Sequence, residues 1–218
     1  MSRWSDPFSD HAADYDRWFD DHPAHHAAEL AALRGLLPPG EGLEIGVGSG
    51  RFAGPLATIY GIDPSRELLT LAREQGVRVA QAYGEALPFR DAVFDFVLMV
   101  TVVCFARDLD ALLREARRVI RPGGAVVIGL IDPDSPLGRL YRARAAGSRF
   151  YRDARFVGIT ELMDALHRAG LDRERLLFHQ TLIGEPEPPD PDFFQVRPGH
   201  GDGAFVAVRA TPTPRNPR

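Results

Sequence analysis

Three glycines at alternate positions, Gly46, Gly48 and Gly50, close a short apolar segment that begins at Leu43. Glycine permits a tight turn and lets a ligand approach the main chain where a Cβ atom would block it. Asp63 ends the next apolar segment. A strand–loop–helix–strand unit places an acid on the two hydroxyls of a ribose at roughly this distance from its glycines. A glycine loop followed by such an acid predicts a site for a nucleoside-bearing cofactor.

The glycine spacing distinguishes two kinds of cofactor. A dinucleotide site has a further glycine three residues after the second, so that the helix packs close beneath a pyrophosphate. Arg51 occupies that position here, and the acid Glu44 precedes the loop to give the pattern E-x-G-x-G-x-G. This pattern resembles the first motif of the class I S-adenosylmethionine-dependent methyltransferases, which bind an amino-acid tail there and no pyrophosphate. A short helix is expected to open at Arg51 and to direct its first amides at the loop.

Two later segments, residues 85–95 and 119–124, look like further motifs of the same family. The resemblance is strongest across residues 43–130, and it implies that S-adenosylmethionine is bound and S-adenosylhomocysteine is released. An amino-terminal segment around Tyr15 also resembles that of small methyltransferases, in which the tyrosine reaches the methionine carboxylate. The resemblance assigns to the cofactor Tyr15, Glu44, Gly46, Val47, Gly48, Asp63, Pro64, Gly84, Glu85 and Val100.

At two positions the chain departs from the family pattern. Tyr83 stands where many relatives carry an aspartate for the adenine amino group, so that bond must come from Glu85 or the main chain, or be absent. Cys104 stands where many relatives have histidines that face the substrate. Its apolar neighbours should raise its pKa and keep it a thiol, which predicts buried packing. The sequence therefore assigns no catalytic residue.

Strand and helix patterns alternate from residue 43 to residue 130, which predicts a parallel sheet with right-handed crossovers. With the later elements, the expected fold is a three-layer α/β/α Rossmann-like sandwich. The family resemblance implies that its sheet has seven mostly parallel strands with an antiparallel last strand. Strands are predicted over residues 43–47, 58–63, 77–82, 94–100, 125–130, 175–183 and 203–210. Helices are predicted over residues 11–20, 23–37, 65–75, 108–120 and 160–169, with Asp10, Ser65 and Thr160 as amino-terminal caps.

We expect a single domain over residues 1–210, in which residues 1–37 form a helical lid across the carboxyl ends of the strands. Within this lid, residues 1–10 show no pattern of regular structure. Residues 131–158 are expected to be an insertion that caps the substrate. The tail, residues 211–218, is expected to be disordered.

The insertion is rich in arginine and aromatic residues, and it supports two interpretations. Guanidinium groups with aromatic faces can bind a carboxylate or phosphate on the acceptor. Alternatively, the segment is an amphipathic helix that keeps its arginines in water. Under the first interpretation the candidate acceptor-binding residues are Phe105, Arg142, Arg149 and Tyr151.

Composition excludes several classes of protein. A net charge of −4 disfavours a general nucleic-acid-binding surface. No apolar run approaches the ~20 residues of a membrane span, and the acidic amino terminus does not resemble a secretory signal. The single cysteine excludes an internal disulfide and suits a reducing cytoplasm. His22, His25 and His26 could share a helix face, but no acid or cysteine completes a ligand set, so no metal is predicted.

The function expected from the sequence is methyl transfer to an O or N atom of a small-molecule acceptor. If the arginine-rich insertion binds this acceptor, the acceptor is expected to be anionic. A methyl sulfonium is already activated, so the protein has mainly to hold the acceptor in line and exclude water. Two alternatives stay open. One is an S-adenosylmethionine-binding partner or regulatory protein without transferase activity, and the other is a nicotinamide-dependent oxidoreductase.

Overall fold

The computed structural model describes residues 7–184, 186 and 189–213. The strands within these ranges are β1 (Gly42–Ile45), β2 (Tyr60–Asp63), β3 (Arg78–Gln81), β4 (Phe94–Val100), β5 (Ile120–Ile131), β6 (Leu177–Ile183), β7 (Arg197–Pro198) and β8 (Gly203–Ala210). The helices are α1 (Pro7–Asp10), α2 (Ala12–Asp21), α3 (Pro23–Arg34), α4 (Arg66–Glu74), α5 (Leu109–Val119), α6 (Pro136–Arg144) and α7 (Ile159–Arg168). None of these helices is long and apolar enough to cross a lipid bilayer.

The strands form one sheet in the order β3-β2-β1-β4-β5-β8-β6-β7. Strands β1 to β5 pair in parallel, and β8 runs antiparallel between β5 and β6. The order reverses between β1 and β4, because the chain first winds outward to β3 and then returns to the other side of β1. Ligands of such sheets bind at the carboxyl ends of the strands beside this reversal.

Both faces of the central strands are buried, which explains the nearly continuous apolar sequence of β4. Val97 and Met99 point into a core that includes side chains of α5 and α7. Phe96 and Leu98 alternate with them and point into a second core that includes side chains of α3 and α6. The predicted three-layer α/β/α sandwich with an antiparallel last strand is confirmed. The structure adds β7, a two-residue edge strand that pairs antiparallel with β6.

The short helix predicted to open at Arg51 is wrong, since residues 51–57 form successive turns. Two helix-like hydrogen bonds are present, Gly54 N to Gly50 O at 3.0 Å and Leu56 N to Phe52 O at 3.1 Å. Between them lies Pro55, which has no N–H to donate to the carbonyl of Arg51. That carbonyl accepts a hydrogen bond from Nε2 of His26 instead, at 2.9 Å.

The amino-terminal side of the chain also differs from expectation. Residues 7–10, for which no regular structure was predicted, form the single turn α1, and residues 1–6 lie outside the described part of the chain. The predicted cap Asp10 is wrong, because His11 takes the cap position of α2 without a side-chain bond. Gly158 replaces the predicted cap Thr160 in the same way at α7. Ser65 is confirmed as the cap of α4, where its hydroxyl accepts from Leu68 N.

Two further expectations need correction. Residues 121–124 belong to β5, which follows α5 directly, with a register shift between Phe94 and Phe96 of the neighbouring strand. At the carboxyl end, residues 211–213 are held by main-chain bonds, from Thr213 N to Gly170 O at 3.1 Å and from Asp172 N to Thr211 O at 2.8 Å. The remainder of the predicted disordered tail, residues 214–218, lies outside the described residues.

Candidate functional site

A cavity of about 140 Å³ lies at the carboxyl ends of β1, β2, β3 and β4, at the reversal of strand order. Most of the predicted cofactor residues line it, and these are Tyr15, Gly46, Gly48, Asp63, Pro64, Gly84, Glu85 and Val100. Two of the predicted acceptor residues, Phe105 and Tyr151, also line it. The fold therefore brings together residues that are up to 136 positions apart in sequence.

The glycine loop turns sharply away from β1 at the edge of the cavity. Gly46 has a φ of 69°, and a Cβ atom there would lie 2.3 Å from Cγ2 of Val102. The amides of Gly46 and Val47 both donate to the carbonyl of Ile62, at 2.8 and 2.9 Å. These bonds fix the loop to β2, and Gly46 and Gly48 line the cavity.

Asp63, at the end of β2, links this loop to the start of α4. Its carboxylate accepts from Gly48 N at 3.0 Å and from Ser65 N at 2.8 Å. The residue is only 8% exposed and lines the cavity. A carboxylate oxygen carries more than one lone pair, so an oxygen that holds one amide can still accept from a ligand hydroxyl.

Glu44 and Val47 do not line the cavity. Glu44 is 1% exposed in β1, where burial and the nearby charge of Asp63 raise its pKa well above the ordinary value. Its carboxyl accepts from the amide of Ala53, and its Oε2 has no hydrogen-bond partner in the described part of the chain. Val47 packs instead against Leu69 of α4. Their assignment to the cofactor stays a prediction, and the contacts show that both residues hold the loop in place.

The segment after β3 forms the opposite wall. A Cβ atom on Gly84 would lie 2.5 Å from Leu112 and 2.7 Å from Ile45, so no larger residue fits at this approach. Glu85 accepts a hydrogen bond from Arg107 N at 2.9 Å. The guanidinium of Arg107 lies 4.8 Å from the ring centroid of Tyr83, which is 50% exposed. The Tyr83 ring therefore forms part of this wall.

An aromatic wall of five rings closes the cavity on the amino-terminal side: Phe8, Tyr15, Phe105, Phe150 and Tyr151. Phe8 lies 5.1 Å from Phe105 and 5.3 Å from Tyr15, measured between ring centroids. Phe150 lies 5.6 Å from Tyr15, and Tyr151 lies 5.8 Å from Phe105. Burial is the main reason that the pKa values of both tyrosines are raised, so their hydroxyls are neutral. Sequence reasoning missed Phe8, which lies in a segment without a periodic pattern.

Arg51 connects the glycine loop to α2 through two acids that the sequence analysis did not single out. Its guanidinium donates to both oxygens of Asp16, at 2.7 and 2.6 Å, and to Asp20 at 2.8 Å. The guanidinium lowers the pKa of Asp16. The spacing of acids along α2 was visible in the sequence, but their partner lies more than thirty residues away.

The two predicted acceptor-binding arginines lie away from the cavity lining. Arg149 forms an ion pair with Asp14 of α2 at 2.7 Å, and Arg142 lies 3.9 Å from Asp134. Both side chains are half exposed. Their role in acceptor binding stays a prediction without a contact that favours it.

Cys104 is partly buried beside the aromatic wall. Its thiol donates to the carbonyl of Thr101 at 3.2 Å, and burial raises its pKa to about 12. Among the three histidines of the early helices, His22 and His25 contact each other, with 5.8 Å between their ring centroids. His22 stacks on Trp18, His25 contacts Phe194, and His26 bonds to the loop. Within the described ranges no three His, Cys, Asp or Glu side chains are grouped as metal ligands.

Comparison with known proteins identifies the family. A family model described as a methyltransferase domain matches residues 43–128. A crystal structure from Thermotoga maritima, described as a SAM-dependent methyltransferase and possible histamine N-methyltransferase, is 41% identical to the chain with a TM-score of 0.90. The match covers 95% of this chain and 99% of that one.

Two relatives are known from their sequences. An uncharacterized protein of Methanocaldococcus jannaschii is 40% identical over 203 residues, which cover 93% of this chain and 97% of the relative. The ubiquinone biosynthesis O-methyltransferase of Azorhizobium caulinodans is 29% identical over 182 residues, which cover 75% and 70% of the two chains. Because the Thermotoga protein is similar at this identity over nearly its whole length, the chain belongs to the class I S-adenosylmethionine-dependent methyltransferases.

Proposed function

We propose that this chain binds S-adenosylmethionine in the cavity and transfers its methyl group to an O or N atom of a small-molecule acceptor. The observation that carries the proposal is the cavity itself, in which the glycine loop and the buried carboxylate of Asp63 meet at the reversal of strand order. This is the position at which a Rossmann-like sheet binds a nucleoside.

The residues around the cavity fit this cofactor. Asp63 would hold the ribose hydroxyls, and the turn at Gly46 and Gly48 leaves main chain open to the amino-acid tail. Pro64, Gly84 and Glu85 line the part of the cavity where the purine ring would lie. Tyr15 packs over Gly48, where a Cβ atom would lie 3.5 Å from its ring. In this proposal its hydroxyl binds the carboxylate of the tail.

When bound, S-adenosylmethionine supplies a methyl group that needs no further activation. The chain has to position the acceptor and keep water out, which can lower a barrier by about 7–11 kcal/mol. The aromatic wall supplies the exclusion of water. Tyr15 and Tyr151 hold their protons, and Cys104 is a neutral thiol. The best acceptor is therefore a group that is already nucleophilic near pH 7, such as an unprotonated amine or an anionic oxygen.

The relatives support a small acceptor. The Thermotoga maritima structure is described as a possible histamine N-methyltransferase and the Azorhizobium protein as an O-methyltransferase. Residues 1–37 and 131–158 remain our proposed lid and cap within a single domain of residues 1–210, since the aromatic wall joins the two. Nucleic acid is disfavoured as an acceptor by the net charge of −4, and a cytoplasmic location remains part of the proposal.

Two measurements test the proposed function in sequence. Isothermal titration calorimetry with S-adenosylmethionine and S-adenosylhomocysteine should show binding by the wild-type chain, whereas NADH should not bind. Cell extract is then incubated with the protein and methyl-labelled S-adenosylmethionine, and mass spectrometry identifies small molecules that gain one labelled methyl group. The proposal would be refuted if neither S-adenosylmethionine nor S-adenosylhomocysteine bound. Binding without any labelled product would instead indicate the silent binding partner that the sequence left open.

A further inference from the structure

A groove of about 1000 Å³ lies apart from the cavity at the glycine loop. It is found where β5 begins, at Ile120 and Pro122, and where the antiparallel strand β8 ends, at Arg209. The cavity lies at the carboxyl ends of β1 to β4, which run parallel to β5, so the groove is at the opposite end of the sheet. No described residue lines both, and the proposed methyl transfer therefore does not use the groove.

The lining of this groove is rich in positive charge. It contains one acid, Asp91, and five arginines, which are Arg114, Arg117, Arg118, Arg175 and Arg209. Arg117 and Arg118 lie three and four positions after Arg114 on α5, so the three share one face of that helix. Arg175 precedes β6, and Arg209 belongs to β8. The fold therefore gathers arginines from three segments, on a chain whose net charge is −4.

The arginines on α5 are not equally available to a ligand. The guanidinium of Arg118 donates to two acids, Glu115 and Asp91, and to two main-chain carbonyls, so it is used fully in holding the fold. Arg114 lies 4.0 Å from Asp108, and both side chains are more than half exposed. Exposed ion pairs of this kind contribute little free energy. Arg114 can therefore exchange this contact for a ligand.

Arg175 and Arg209 form no ion pair and no side-chain hydrogen bond with any other described residue. Arg209 lies on an inner strand of the sheet, between β5 and β6. Its Nε is buried, as is the hydroxyl of Thr211 in the same lining, and neither atom has a hydrogen-bond partner in the described ranges. A partly buried cation without a counter-charge is destabilising. An anion in the groove would supply that charge.

We propose that this groove binds the diphosphate group of a small molecule, with Arg114, Arg175 and Arg209 as its ligands. The planar guanidinium fork matches the oxygens of a phosphate group, to which it can donate two parallel hydrogen bonds. Two linked phosphates offer enough acceptor oxygens for arginines from three separate segments. The volume of the groove is also that of a small-molecule site. The inference does not rest on the proposed function.

The charge of the rest of the molecule favours a small ligand over a nucleic acid. A long polyanion is bound by a basic surface that follows its backbone over many phosphates. Here the chain carries 30 acids against 26 basic residues, and the positive charge is concentrated within one groove. A compact anion can contact these arginines without approaching the acids elsewhere on the surface.

The test is isothermal titration calorimetry of the full chain with inorganic pyrophosphate and with orthophosphate, in metal-free buffer at one fixed ionic strength. The double variant Arg114→Gln with Arg175→Gln removes two of the proposed ligands. The matched control is Arg73→Gln with Arg152→Gln, which removes the same charge from two exposed positions outside the groove. Circular dichroism establishes that each variant is folded.

We expect the wild-type chain and the control to bind pyrophosphate at least about 10-fold more tightly than orthophosphate, because the second phosphate reaches further guanidinium groups. The double variant should bind pyrophosphate about 10-fold or more weakly than the control, as loss of charge-assisted hydrogen bonds requires. The comparison of the two anions uses wild-type protein alone, so it decides the matter even if a variant does not fold.

Two sources of the diphosphate group are separated by titrating adenosine diphosphate into the chain saturated with S-adenosylhomocysteine, which keeps the nucleoside out of the cavity. Tighter binding than that of pyrophosphate would identify an organic diphosphate as the ligand. Weaker binding would identify free inorganic diphosphate.

Three outcomes would overturn the inference. The first is equal binding of pyrophosphate and orthophosphate by the wild-type chain, including no binding of either. The second is an equal affinity for pyrophosphate in the double variant and the control, which would show that surface charge in general attracts the anion. The third is a short single-stranded RNA that binds more tightly than pyrophosphate and loses affinity in the double variant alone. The pyrophosphate titration contains no S-adenosylhomocysteine, so its failure leaves the proposed function untouched.

Discussion

The carboxylate of Asp63 accepts main-chain hydrogen bonds from two segments that border the cavity. One is the glycine loop at Gly48 and the other is the start of α4 at Ser65. A single buried side chain therefore holds the glycine loop and the start of α4 together. A side chain without an acceptor oxygen at this position would leave the amides of Gly48 and Ser65 without this partner.

Replacing Asp63 with alanine should therefore weaken binding of S-adenosylhomocysteine by about 1–3 kcal/mol, because a charged acceptor is lost from a buried site. Calorimetry measures the change directly. Asp95→Ala is the matched control, since Asp95 also accepts a main-chain bond, from Glu41 N at 2.8 Å, but lies outside the cavity lining. Unchanged affinity in Asp63→Ala would show that the ribose is held elsewhere.

Cys104 offers a second prediction at the scale of one residue. Its pKa, raised from 9.0 to about 12, lowers the thiolate fraction near neutral pH about a thousandfold relative to an ordinary thiol. A disulfide reagent such as Ellman's should therefore modify the native protein far more slowly than the unfolded protein. The chain has one cysteine, so the absorbance change reports this residue alone. Rapid stoichiometric reaction of the native chain would restore Cys104 as a candidate nucleophile.

At the scale of elements, Arg51 connects α2 to the glycine loop. The guanidinium binds Asp16 with two nearly parallel bonds and reaches Asp20 as well, and its side chain is only 22% exposed. Two-bond pairs of this kind are stronger and more directional than single surface ion pairs. The carbonyl of the same residue is bound by His26 of α3, so one position joins two helices to the loop.

Arg51→Ala should release α2 from the loop and displace Tyr15 from its place over Gly48. We expect a loss of about 1–2 kcal/mol in binding of S-adenosylhomocysteine, the range for a partly buried network of charged hydrogen bonds. Limited proteolysis should cut more rapidly within residues 12–21. Arg168→Ala is the control, because Arg168 pairs with Asp110 through two nitrogens on the outer side of α5 and α7. Equal affinities in the two variants would show that the helix packs independently of Arg51.

Elements whose signals are local were predicted well from the sequence. The strands β4 and β8 have the predicted bounds, because continuous burial and flanking turn residues mark them. The helix at Arg51 failed because one proline removes the donor on which its first turn depends, and tertiary contact with His26 then compensates the free carbonyl. The capping errors at Asp10 and Thr160 have a different origin, since a suitable side chain does not by itself fix where a helix starts.

At the scale of the whole molecule, one side of the site was more predictable than the other, where the sequence named Tyr15, Phe105 and Tyr151 of the aromatic wall but neither Phe8 nor Phe150. Gly46, Asp63 and Gly84 belong to motifs that lie at the carboxyl ends of β1, β2 and β3. The sequence therefore located this side of the cavity. The other wall depends on contacts between distant segments, such as Phe8 with Phe150, which no local pattern reveals. The role of the arginine-rich insertion was equally difficult to predict, because the partner of Arg149 lies on α2, 135 residues away.

The free energy of unfolding of the whole chain should depend on pH, because the chain buries acids whose pKa values are raised. Glu29, which is buried on α3, has a pKa near 8 in the folded chain, against an ordinary value of 4.5, and Glu44 is raised in the same direction. Between these two pH values the native state keeps a proton on Glu29 that the unfolded state has released. Rising pH therefore favours unfolding through this window, and the stabilising contribution is complete only below about pH 4.5.

Glu29→Gln removes this linkage. The free energy of unfolding of the variant, relative to that of the wild-type chain, should therefore increase as pH rises from about 4.5 to about 8. The difference should reach at most about 5 kcal/mol, at about 1.4 kcal/mol per unit of pKa shift. Urea unfolding at several pH values measures it, and Glu41→Gln, at an exposed position before β1, should run parallel to the wild-type chain. Subtraction of the wild-type curve cancels the opposing titration of groups such as Asp16, whose pKa is lowered. Parallel curves for Glu29→Gln would mean that the carboxyl is ionised and solvated in the folded chain, and the helix face of α3 would then have to open to water at that position.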